Sequence, residues 1–148
     1  MGTLDHEKLD IYKHALAFVV KAFEIVATLP GRRGDLADQL RRASTSIATD
    51  IAEGAGEFAP SEKARFYRIA RRSAVECAAL LDITACLGFR PMSQTTPRDD
   101  LVLIVGGLVR LILSCERRAA GQYSDGSSAG SERLVVTERP TCTRTPSG

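Results

Sequence analysis

The sequence predicts an all-α protein, an antiparallel up-and-down bundle of four helices, and three observations carry that expectation. Four stretches repeat apolar residues at steps of three and four. Proline and glycine punctuate them at Pro30-Gly31, at Gly54 to Pro60 and at Gly88 to Pro91. No segment sustains the period-two alternation of a strand beyond the short run Leu134-Val135-Val136. A chain of 148 residues that is 44% hydrophobic has enough apolar matter for one core.

The first helix is expected over Leu9 to Leu29, where Leu9, Tyr12, Ala15, Phe18, Val19, Ala22, Ile25, Val26 and Leu29 form one stripe. Lys13, Lys21 and Glu24 mostly take the other side. Pro30-Gly31 ends it, Asp35 is placed to cap the second helix, and Asp38 stands three residues on as the second half of a capping box. The second helix carries Leu36, Leu40, Ala43, Ile47 and Ile51 on one stripe and should stop near Gly54, with Gly56 behind it. Ser61 or its predecessors cap a third helix to Leu87, which would span roughly 40 Å before Gly88 and Pro91. Thr96-Pro97 opens the fourth, with Asp99 complementing its N-terminus, and it should run to about Ala120.

Residues 5–120 therefore form the expected bundle, and 121–148, rich in Gly, Ser, Thr and Pro, read as a flexible tail. The fourth helix is apolar around most of its circumference, through Leu101 to Val105, Leu108-Val109 and Leu111 to Leu113. Four-helix bundles leave one face of each helix wet, so this excess predicts self-association through the fourth helix and part of the first. The same run is too short to cross a bilayer, and the N-terminus has no apolar secretory region. Cys77, Cys86, Cys115 and Cys142 show no metal spacing and read as small hydrophobes in a reducing cytoplasm.

The net charge, 20 basic against 18 acidic residues, is too small to name a nucleic-acid binder, so any such role must come from local clustering. Lys63, Arg65, Arg68, Arg71 and Arg72 make a basic stripe on the third helix, which Arg41-Arg42 and Arg32-Arg33 extend. Such a stripe can track phosphates; a solvated face of intrahelical ion pairs is the competing reading. With Phe66 and Tyr67 the only aromatic pair beside it, recognition of backbone or shape is favoured over base stacking. Asp50, Glu53 and Glu76 fall among apolar residues at helical spacing, which predicts a structural polar network with Ser73 and the neighbouring arginines.

His6 and His14 are far in sequence from these carboxylates and supply no Glu-x-x-His pair, so a di-iron centre is not expected. No Gly-x-Ser-x-Gly elbow and no Walker motif is present. The expectation is a protein without enzymatic activity, metal or cofactor.

At Ser46-Ile47-x-x-Asp50-Ile51-Ala52-Glu53-Gly54 and Phe66-x-x-Ile69-Ala70-x-x-Ser73-x-x-Glu76, the chain resembles the four-helix-bundle proteins encoded by intervening sequences of bacterial large-subunit rRNA genes, also labelled S23 ribosomal proteins. The resemblance runs from about Leu9, at Leu9-Asp10-Ile11-Tyr12, to about Ala120. It implies a homo-oligomer, commonly a pentameric ring, with proposed roles in binding RNA or another nucleic acid. Relatives of the family include the accessory variability determinant of diversity-generating retroelements, which partners a reverse transcriptase. Asp50 stands where the family usually has Asn, and Arg72 where it usually has Gly.

Two functions follow as expectations. One is an oligomeric adaptor that binds structured RNA through arginine-rich patches. The other is a protein-interaction scaffold, such as an accessory subunit of a reverse transcriptase.

Overall fold

The computed structural model describes residues 2–89 and 96–124. They form α1 (Asp10–Thr28), α2 (Gly34–Gly56), α3 (Pro60–Cys86) and α4 (Thr96–Ser124), with short 3-10 turns at Asp5–Lys8 and Gly31–Arg33. Each helix packs on the two beside it in the cyclic order α1, α2, α3, α4, and the backbones of the diagonal pairs stand farther apart. Cross-helix pairings fix the directions: Lys63 early in α3 meets Ala55 at the end of α2, Arg68 meets Glu116, and Lys21 meets Asp100, so each neighbour runs antiparallel to the last. The molecule is the expected up-and-down four-helix bundle.

Its core is drawn from the predicted stripes. Phe18, Leu40, Ile47, Ile51, Ile104 and Leu108 are completely buried, each stabilising the fold by about 1.5–3 kcal/mol relative to exposure. Between them stand Ala15, Ala22, Ala43, Ala70 and Ala74, small residues that let helix axes approach. Cys77 and Cys115 are core residues and Cys86 is exposed; Cys142 lies outside the described residues. Burial, and next the nearby Glu76 charge, pushes the Cys77 thiol up to about 12, so it is protonated at neutral pH.

Several helix ends differ from the sequence expectation. Asp35 is not the cap of α2: Gly34 is already helical, Arg33 occupies the cap position without a side-chain bond, and Asp38 pairs with Arg41 instead of completing a capping box. Of the two glycines expected at the end of α2, Gly56 is its last residue and Gly54 lies two residues inside it. A Cβ at Gly54 would lie 2.7 Å from Cε1 of the buried Tyr67 ring, so this glycine serves the α2–α3 approach and not termination. Gly88 does terminate α3, at φ +78°, with Gly88 N–H donating to Ala85 and Phe89 N–H to Thr84 in a Schellman arrangement. At the other end α4 passes Ala120 and continues to Ser124. The expected tail beyond it, with Leu134-Val135-Val136, lies outside the described residues.

Among the described residues nothing covers the whole of the apolar excess on α4. Val102, Leu103, Val109 and Leu113 remain exposed, as do Leu16, Val20 and Phe23 on the neighbouring α1. At 100° per residue Val102, Val109 and Leu113 share one side of α4, and Leu16, Val20 and Phe23 one side of α1. No described helix is long and apolar enough to cross a membrane.

Candidate functional site

The α2–α3 seam brings the expected polar residues together only in part. Ser46, on the side of α2 turned toward α3, donates its hydroxyl proton to the Asp50 carboxylate one turn later at 2.5 Å. Its oxygen also lies 3.0 Å from the hydroxyl of the buried Ser73. Ser46 has one proton and a carboxylate can only accept, so Ser73 is the donor across the seam and the chain runs Ser73 to Ser46 to Asp50. Asp50 and Ser73 are thus network members. Ser46 is its hub, a role signalled in the sequence by the i, i+4 spacing to Asp50 and missed there.

Glu53 and Glu76 correct the expectation of a fully partnered network. Both are exposed, and neither carboxylate makes a hydrogen bond or ion pair among the described residues. The apolar neighbours that suggested burial belong to the opposite side of each helix, where Ile51, Ala74 and Cys77 point into the core. Glu76 does line the groove between α2 and α3, about 310 Å³ in volume, with Gln39, Arg42, Ala43, Ser46 and Ser73.

The predicted basic stripe divides into engaged and unengaged cations. Lys63 donates to the carbonyls of Gly54 and Ala55 at 3.3 and 2.9 Å, closing the C-terminus of α2. Arg65 pairs with Glu62 at 2.9 Å and stacks over Phe66, 4.3 Å from the ring centroid. Arg68 pairs with Glu116 of α4, and Arg41 with Asp38. Arg33 is drawn over Phe89, and its buried Nε has no hydrogen-bond partner.

By contrast, Arg42, Arg71 and Arg72 are exposed and have no ion pair among the described residues. The same is true of Arg110, Arg117 and Arg118 on α4, which the sequence reading passed over although Arg117-Arg118 stands out as a dibasic step. On α3 consecutive positions turn 100°, so Arg72 lies nearer the α2 groove and Arg71 faces away from it. No group of His, Cys, Asp or Glu among the described residues has the arrangement of a metal site.

The polar motifs that form this seam lie within a single matched region. A family model described as 23S rRNA-intervening sequence protein matches residues 7–102. The chain belongs to that family. No curated protein is similar enough to count as a match. In this 23S rRNA-intervening sequence protein the matched region takes in α1 to α3 and only the start of α4, so most of the exposed apolar stripe on α4 lies beyond it.

The two departures named above acquire physical meaning in this member of the family. Asp50 uses its carboxylate as an acceptor for Ser46, and Ser46 would find the same acceptor in an Asn side-chain carbonyl. Arg72 is exposed, so it leaves helix packing untouched and adds a cation to the outer surface.

Proposed function

We propose that this 23S rRNA-intervening sequence protein is a non-enzymatic, cytoplasmic oligomer that binds structured RNA. The observation that carries the reading is the division of its cations. Arg41, Lys63, Arg65 and Arg68 are neutralised or committed within the fold, whereas Arg42, Arg71 and Arg72 are left to solvent. Unengaged guanidiniums release condensed counterions when they meet phosphates, and repeating them around an assembly multiplies a weak monomer term.

Self-association rests on two exposed apolar stripes, Leu16, Val20 and Phe23 on the α2-facing flank of α1 and Val102, Val109 and Leu113 on the α3-facing flank of α4. Three large exposed apolar side chains along each stripe exceed the scattered singles of an ordinary surface. A second copy of the chain is the occupant in this reading, with a ring such as a pentamer as the closed form. The apolar composition also suits a protein partner such as a reverse transcriptase, and that is the second reading.

The test is the solution mass of the purified protein, followed by titration with a 20-base-pair RNA duplex across a salt series. The expected result is an oligomer whose affinity falls steeply with salt. Reversing Arg42, Arg71 and Arg72 together to Glu should cost about a hundredfold or more at low salt and flatten the salt slope. Neutralising Arg65 and Arg68 to Gln should change affinity far less. A correctly assembled triple variant that binds as tightly as the parent would sink the RNA reading, and an oligomer indifferent to RNA would favour the protein scaffold.

A further inference from the structure

We propose that the α2–α3 groove seats an unpaired guanine base; the inference rests on the RNA reading and names the feature of the RNA that the groove recognises. Both hydroxyl protons in its floor are committed, Ser73 to Ser46 and Ser46 to Asp50, so the floor presents lone pairs and no donor to a ligand. One wall carries the Glu76 carboxylate, whose two oxygens have no hydrogen bond or ion pair among the described residues. The other wall carries Gln39 and Arg42, which offer donors, and the Arg42 guanidinium is likewise without an ion pair there.

A ligand that satisfies both walls needs two adjacent N–H donors for the carboxylate and, beside them, an acceptor for the guanidinium. Guanine alone among the four RNA bases has that edge: N1–H and the 2-amino group lie side by side, with O6 next to them. Adenine and cytosine offer one amino donor beside acceptors, and uracil one N–H between two acceptors. Watson–Crick pairing hides the guanine edge, so the base must be unpaired. The groove's volume of about 310 Å³ accommodates one base. The Glu76 carboxylate in its wall disfavours phosphate beside it, which leaves phosphates to Arg71 and Arg72 outside the groove lining.

The experiment is an NMR titration of the intact protein with GMP, IMP, AMP, CMP and UMP. GMP should shift the amide signals of Ser46, Ser73 and Glu76, and AMP, CMP and UMP should not. IMP lacks the 2-amino donor and should bind about tenfold more weakly, the effect of one lost charge-assisted hydrogen bond. Glu76→Gln replaces one acceptor with a donor; it should abolish the preference for GMP over AMP with an unchanged melting temperature, since the side chain is exposed. Equal shifts with all five nucleotides, or none at the groove, overturn the proposal.

A parallel duplex-RNA titration of the parent and of an Arg71→Glu, Arg72→Glu variant separates the two readings. Salt-sensitive duplex binding that this variant loses, without guanine selectivity, sinks the groove inference alone. Loss of all RNA binding in the parent sinks both.

Discussion

The α2–α3 side and the α1–α4 side of this bundle use the same helical periodicity to build opposite surfaces. Along α2–α3 the helices meet through Gly54 and buried alanines, a hydroxyl chain closes the seam, and the outward positions carry arginines, glutamates and threonines, with Val75 and Ile83 of α3 among them. Along α1–α4 the seam is held by Ile11 against Gly107 and by the Lys21–Asp100 ion pair, while Val20 and Phe23 are exposed on the α2-facing flank of α1 and Val102 and Leu113 on the α3-facing flank of α4. One seam is edged chiefly by charges and hydroxyls; the helices of the other carry exposed apolar stripes on their outer flanks among the described residues. A bundle thus satisfies its internal packing on both sides and still differs in what it offers to partners.

Exchanging the same small residue on each side is the sharpest way to break this comparison. Gly54→Ala should have the largest effect, about 2 kcal/mol of destabilisation measured by denaturant unfolding. The new Cβ would sit 2.7 and 2.9 Å from two carbons of the Tyr67 ring and 3.2 Å from the Phe66 Cβ. That ring is only 3% exposed and cannot swing away, so α2 and α3 must part. The helix-propensity gain of Ala over Gly, about 1 kcal/mol, offsets only part of the cost. A variant as stable as the parent would show that the seam is not close-packed.

An intermediate effect is expected from alkali, again on the α2–α3 side. Burial pushes the Cys77 thiol and the Tyr67 phenol up to about 12, from ordinary values of 9.0 and 10.0. Above pH 9 the unfolded chain gives up protons that the folded chain keeps, so stability is fully present below pH 9 and falls as pH rises toward 12. Denaturant midpoints at pH 8, 10 and 11 should decline in the parent and decline less in Cys77→Ala. A flat profile in the parent would contradict the burial of both groups.

The smallest effect is expected on the other side, from Gly107→Ala. Its Cβ would meet the Ile11 Cγ2 atom at 2.1 Å, a closer clash on paper. Yet Ile11, β-branched and stiff at χ1, stands in the first turn of α1, so the clash is relieved by a shift of that end turn and not by parting two helices along their length, and the helix gain again works in favour. The net change should stay within about 1 kcal/mol in the same unfolding assay. A loss as large as that at Gly54 would erase the distinction between the two seams.

Much of the fold was legible from spacing alone. Phe18, Leu40, Ile47 and Ile51 were placed in the core by steps of three and four, because burial on a helix repeats at that period regardless of the partner. Gly88 was read as a stop and is one, since a left-handed residue after a helix is a local requirement. Gly54 was misread because its reason is non-local: the Tyr67 ring that excludes a side chain comes from α3. Glu53 and Glu76 were misplaced for a related reason, since apolar neighbours in sequence are not neighbours on a helix surface. Their helical phase put them outside.

Sequence by itself determined the number of helices, their apolar stripes, the short connections and hence the antiparallel bundle, because each of these depends on local backbone preference and on periodic burial. It also marked α4 as apolar around most of its circumference. Only the tertiary structure decided which cations are spent and which are open. Lys63 on the α2 carbonyls, Arg68 on Glu116 and Arg33 over Phe89 are pairings across elements, set by distance in space, and no spacing along the chain contains that distance.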